Sequence, residues 1–150
     1  GDAQAIAPVA GPGQPRVLAP TLGRDPHGRG WLTDETLLAL EGCHWPSLGV
    51  QTPVADIVLA AAADRSDIVG LSVSASMKTH QVFSNLQELR EKLPPGVHVW
   101  AGGGNPALRR LTMPGVTLVP SLDLIKPLLT QWRATQGAAP TATAQSAPDR

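Results

Sequence analysis

Short apolar runs alternate along this chain with stretches whose apolar residues return every three or four positions. That is the rhythm of strands and amphipathic helices in an α/β domain. The run "DIVGLSVS" at 67–74 is almost continuously apolar or small, as a parallel strand covered on both faces requires. In "HQVFSNLQELREKL", Val82, Leu86, Leu89 and Leu93 fall on one helical face, and "PPG" then ends the pattern. The same reading predicts strands at 16–22, 45–49, 67–74, 97–101 and 116–119, and helices at 31–41, 54–63, 78–93, 106–111 and 122–134. Right-handed crossovers between such units give a doubly wound, five-stranded parallel sheet of flavodoxin-like order. Ligands of such sheets bind beyond the carboxyl ends of the strands.

Composition narrows the class. The 150 residues are 42% hydrophobic and 16% charged, ordinary for one globular domain, and twelve basic side chains balance twelve acidic ones. No overall field draws such a chain to nucleic acid or to an anionic membrane, so direct nucleic-acid binding is not expected. No apolar run reaches the roughly 18 residues of a membrane span, and no basic-then-apolar signal opens the chain. A single cysteine, Cys43, rules out an internal disulfide framework and fits a reducing cytoplasm. Residues 1–15 and 135–150 are rich in Ala, Pro, Gly, Thr and Gln and are expected to be disordered, leaving a domain at 16–134.

The working edge of the expected sheet comprises the loops at 22–30, 49–53, 74–78, 101–106 and 119–122. His27 falls in the first and His80 just beyond the third, whereas His44 and His98 belong to the opposite edge. The first loop, "GRDPHGRG", lacks the G-x-G-x-x-G order and no Walker lysine follows it, so it is not a phosphate cradle. It does contain D-x-H-x-x-G, as Asp25, His27 and Gly30. A carboxylate so placed can accept the second N–H of the imidazole, fixing its tautomer and raising the basicity of the nitrogen that faces a metal. Gly30, without a β-carbon, lets the chain turn closely beneath a bulky ligand. Taken alone, the run reads first as an Asp-Pro turn carrying an exposed histidine.

With "DPHGRG" after the first strand, "GLSVSAS" ending the third and "WAGGGNP" ending the fourth, the chain resembles the cobalamin-binding (Rossmann-like) domain of methionine synthase, corrinoid proteins, mutases and light-sensing regulators. The likeness covers about 16–134. It implies that His27 replaces the nucleotide base as lower ligand to cobalt, that Asp25 orients it, and that the detached nucleotide tail threads into a narrow slot. Small side chains along the flanking strands are needed there, and Gly70, Ser72, Ser74, Gly102, Gly103 and Gly104 supply them. Two departures bear on nucleotide affinity and on the tuning of His27. Ser72-Val73-Ser74 stands where the family usually has Ser-x-Leu, and Lys78 stands where methionine synthases carry a serine that completes the chain with histidine and aspartate.

Within the family, "GLSVSASMKTHQVFSNLQELR" is most similar to the AerR and PpaA group of cobalamin-binding antirepressors from purple photosynthetic bacteria. That resemblance implies a photoresponsive coregulator of photosynthesis genes. It would bind adenosylcobalamin or hydroxocobalamin and partner a DNA-binding repressor of the CrtJ or PpsR type. After photolysis of the cobalt–carbon bond, His80 would be placed to take the vacated upper position. Alternatives are a haem-binding sensor of the same fold, with His27 or His80 on iron, and the corrinoid carrier of a methyltransferase system. Autonomous catalysis is not expected: residues 16–134 leave no room for a substrate barrel, and Ser47, Ser121 and Cys43 have no partner histidine at the inferred edge. A response-regulator reading fails because Ser72 and Ser74 occupy the region where a phosphorylatable aspartate is required. Trp31, Trp45, Trp100 and Trp132 are expected to pack in the core, with Trp31 a candidate to flank the corrin, and Arg24 and Arg29 read as solvated.

Overall fold

A computed structural model describes residues 13–23, 38–43 and 52–136. Its strands are β1 (Val17–Leu18), β2 (Thr21–Leu22), β3 (Ile68–Val73), β4 (His98–Gly102) and β5 (Val116–Val119). Three helices accompany them among the described residues: α1 (Val54–Asp64), α2 (Thr79–Lys92) and α3 (Ile125–Gln136), with 3-10 turns at Pro106–Arg110 and Leu122–Leu124. All strand pairs are parallel; β1 and β2 both lie beside β3, followed by β4 and then β5. Among the described residues this is a five-stranded parallel α/β sheet of flavodoxin-like type, although these five strands are not the five expected. The run at 16–22 is divided, because Pro20 has no N–H to give to a ladder; its carbonyl still accepts from the Ser72 N–H at 3.0 Å. The strand expected at 45–49 and most of the helix expected at 31–41 lie outside the described residues, though Leu38 and Ala39 are helical.

The period-two alternation of β3 divides the interior into two cores. Val69, Leu71 and Val73 face α1 and α2, where Val54, Ile57 and Ala61 meet Val82, Leu86 and Leu89. Ile68 faces the other way, with Val17, Trp100 and Val119, against Ile125, Leu129 and Trp132 of α3. Every residue of β3 is buried, as a central parallel strand covered on both sides must be. Leu93 completes the apolar stripe of α2 expected from its spacing, and Trp100 and Trp132 are core residues. Trp31 and Trp45 lie outside the described residues.

Local chemistry fixes the helix ends. Arg65 adopts a left-handed φ of 55°, so that its N–H reaches the Ala62 carbonyl and the Ser66 N–H reaches Ala61, closing α1 in a Schellman arrangement. Arg16 joins that terminus to β1: Nε donates to the Asp64 carbonyl at 2.6 Å and Nη2 to Asp64 Oδ1 at 3.0 Å. The segment expected to be helical at 106–111 is a five-residue 3-10 turn, capped by Asn105 and too short to propagate as an α-helix. Packing extends to Gln14, ahead of the expected boundary at Arg16: Gln14 Oε1 accepts from Arg133 Nε at 2.9 Å and from the buried Cys43 Sγ at 3.6 Å. Residues 1–12 and 137–150 lie outside the described residues.

Gly103 has a left-handed φ of 119°, and a β-carbon there would stand 2.7 Å from the Val73 carbonyl oxygen and 2.8 Å from its nitrogen. Backbone cannot yield as a flexible side chain does. Gly103→Ala is therefore expected to lower stability by about 2 kcal/mol or more, whereas Gly104→Ala, whose β-carbon would meet Ala75 at 3.9 Å, stays within about 1 kcal/mol of wild type. Urea unfolding of the two variants measures the contrast; equal midpoints would contradict it.

Candidate functional site

At the carboxyl edge the parallel register sets three small residues side by side. Thr21 pairs with Ser72, and Ser72 with Gly102. Residues in register on parallel strands share a face, here the α3 side that carries Ile68 and Trp100. The level below pairs Gly70 with Trp100, so Gly70 also leaves room for the indole beside it. The result is a strip of small side chains on the α3 face, with Thr21 and Ser72 among the few buried polar residues. Of the expected slot residues, the structure thus brings together Gly70, Ser72 and Gly102 and adds Thr21.

The other three are placed differently. Ser74 caps its own turn: its Oγ accepts from the Ser76 N–H at 3.1 Å and lies 3.0 Å from Ser76 Oγ. Gly103 is committed to the close approach on Val73. Gly104 is exposed and lines a cleft at the ends of β4 and β5. Gly103 lines that cleft as well, so of the three consecutive glycines of "AGGGNP" Gly102 belongs to the strip and the other two border the cleft.

Asn105 binds these loops into one edge. Its side chain is 4% exposed; Nδ2 donates to the carbonyls of Ser74 and Met77, both at 2.8 Å, while Oδ1 accepts from the Ala107 N–H at 2.9 Å. The turn after β3 is thus fastened to the turn after β4. Gly23, with φ of 80°, completes the contact from β2, since a β-carbon there would lie 2.6 Å from Met77 Cγ and 3.1 Å from Ser74 Cβ. The chain leaves the sheet at Gly23 directly beside the 74–77 turn. Asp25, His27 and Gly30, with Arg24 and Arg29, follow at once in sequence and lie outside the described residues.

His80 is exposed in the first turn of α2, at this same edge. Gln81 Oε1 accepts from the Lys78 N–H at 3.1 Å. A lysine ammonium has no lone pair, so Lys78 cannot return the bond as a serine would. His98 begins β4 at the opposite edge, as expected; burial and the nearby Arg90 guanidinium push its pKa below the usual imidazole value, against the opposing pull of Asp67. His44 lies outside the described residues. Burial likewise raises the Cys43 thiol above its usual range, with Arg133 acting against it. Among the described residues, no three His, Cys, Asp or Glu side chains gather as a metal site, and no helix is long and apolar enough to cross a membrane.

No family model matches the chain. Over 56 residues, 37% of its length, it is 43% identical to the HTH-type transcriptional repressor CarH of Myxococcus xanthus, of which that stretch covers 19%. Its fold is similar to that of a cobalamin-binding protein from Desulfitobacterium hafniense DCB-2, with a TM-score of 0.52 and 23% identity over 79% of this chain and 58% of that one. The chain therefore spans about three-fifths of that structure and less than a fifth of the repressor. At this identity the structural likeness is one of fold.

Thr21 and Asn105 escaped the sequence reading of the site. Asn105→Asp keeps the acceptor for Ala107 but turns a carboxylate oxygen toward two carbonyls. It is expected to cost about 2–3 kcal/mol and to speed amide exchange in the 74–77 turn. An unchanged urea midpoint together with unchanged exchange would show that the clamp is dispensable.

Proposed function

We propose that this chain is a cobalamin-binding module that regulates transcription, with His27 as lower axial ligand and Asp25 as the residue that orients it. The observation that carries the reading is the in-register strip of Thr21, Ser72 and Gly102, with Gly70 below it, lying beside the exit from β2 into "GRDPHGRG". A strip of small residues leaves room for a slender ligand extension between sheet and helix layer, and the D-x-H-x-x-G loop follows within a few residues of its open end. The fold shared with a cobalamin-binding protein and the partial identity to a transcriptional repressor support the same conclusion.

In this reading the chain's own residues bind and orient. Asp25 would accept one N–H of His27, leaving the other nitrogen unprotonated for the metal. Ser72 and Thr21 offer hydroxyls to the buried extension, and Gly70 and Gly102 leave it space. When bound, cobalamin would supply a photolabile cobalt–carbon bond. His80, exposed at the same edge, would be the residue that holds the metal after illumination, and a repressor of the CrtJ or PpsR type would sense the change of this edge in the control of photosynthesis genes. The module acts by binding and not by catalysis.

Wild type, His27→Ala and His80→Ala, each incubated in darkness with adenosylcobalamin, hydroxocobalamin or hemin, desalted and scanned before and after illumination, test the proposal. Wild type is expected to retain cobalamin, and His27→Ala to bind it about tenfold or more weakly. His80→Ala should keep dark binding but lose the wild-type spectrum after illumination. Retention of hemin alone would transfer the site to haem, and identical illuminated spectra would remove His80 from the mechanism.

A further inference from the structure

Four polar residues are buried among the described residues, and two of them have their side chains committed. Asn105 is bonded to Ser74, Met77 and Ala107, and Ser66 Oγ donates to Asp64 Oδ2 at 3.1 Å. Thr21 and Ser72 differ. They are 5% and 8% exposed, and neither hydroxyl has a hydrogen-bond partner among the described residues. Their backbones are paired: the Thr21 carbonyl accepts from the Thr52 N–H at 3.1 Å, and the Ser72 N–H donates to the Pro20 carbonyl at 3.0 Å.

A hydroxyl taken out of water without a partner opposes folding, and an apolar group of the same shape does not. Two such hydroxyls stand side by side here, since Thr21 and Ser72 are in register on neighbouring strands about 4.8 Å apart. They face the strip that Gly70 and Gly102 leave without side chains. Paired orphan groups beside such space are groups whose partners arrive with a ligand. Each hydroxyl has one proton to donate and two lone pairs with which to accept. A ligand that satisfies both must therefore bring at least two polar atoms to this level of the sheet.

We propose that Thr21 and Ser72 read the lower base of the cofactor, and that the base they favour is a purine such as adenine rather than dimethylbenzimidazole. The inference rests on the cobalamin-binding reading and names the base within it. Dimethylbenzimidazole, detached from cobalt, offers one free ring nitrogen and an edge of methyl groups, so it leaves one hydroxyl unsatisfied. Adenine offers several ring nitrogens and an amino group on a ring system of similar size, enough for both. Thr21 is the decisive member. With an apolar residue in its place, Ser72 alone can serve the single nitrogen of dimethylbenzimidazole, and the advantage of the purine falls away.

Equilibrium dialysis of the full chain against three corrinoids in the hydroxo form tests the pair: adeninylcobamide, cobalamin, and cobinamide, which lacks the nucleotide. Wild type is expected to bind adeninylcobamide about tenfold more tightly than cobalamin, and both more tightly than cobinamide. Thr21→Val is expected to bind adeninylcobamide and cobalamin within about twofold of each other. Its urea midpoint without ligand should equal or exceed that of wild type, because the lost hydroxyl makes no bond in the free chain. A lowered midpoint would assign the hydroxyl to the fold and overturn the pair. Adeninylcobamide no tighter than cobalamin, or a preference undiminished in Thr21→Val, would overturn the base reading alone, as long as both exceed cobinamide. If neither exceeds cobinamide, the cofactor reading fails and this inference with it.

Discussion

The approach of Gly103 to the backbone of Val73 is the contact on which the carboxyl edge depends. It brings the turn after β4 down onto the end of β3, within reach of Asn105, whose side chain then fastens the turn after β3. That turn in turn receives Gly23 as the chain leaves β2. Three loops are thereby fixed relative to one another by backbone and buried hydrogen bonds, while the neighbouring faces keep room for ligands. A side chain at Gly103 would force the strand ends apart and disturb all three.

This edge separates two kinds of space. On the α3 side, Thr21, Ser72 and Gly102 meet at one level of the sheet and leave a narrow strip. At the ends of β4 and β5, a shortened connection leaves a wider, mostly apolar cleft, bordered among the described residues by Gly103, Gly104 and Val119 and by one cation, Arg109.

Much of the fold was legible because two periodicities were strong. The continuous apolar run of β3 and the stripe formed by Val82, Leu86, Leu89 and Leu93 appear where expected. Boundaries failed where one residue outweighed the pattern: Pro20 divides the first strand, and Asn105-Pro106 caps a turn too short to become a helix. The site was less legible. Gly70, Ser72 and Gly102 converge because of register between strands distant in the chain, and the same register adds Thr21, which no local motif marks. Three adjacent glycines look alike in sequence, yet Gly102 lines the strip while Gly103 and Gly104 border the cleft, and of these Gly103 alone abuts the Val73 backbone. The motif residues Asp25, His27 and Gly30 lie outside the described residues, so their role rests on sequence and on where Gly23 delivers the chain.

The central claim is that the strip of small residues admits the nucleotide tail of cobalamin while the loop after β2 addresses its cobalt. Equilibrium binding of hydroxocobalamin against cobinamide, the same corrin without the nucleotide tail, tests it most directly. The account predicts that cobalamin binds far more tightly, and that Ser72→Leu weakens cobalamin toward the cobinamide value. Equal affinity for the two corrinoids in the wild-type chain would contradict it, because the strip would then make no contact with the tail.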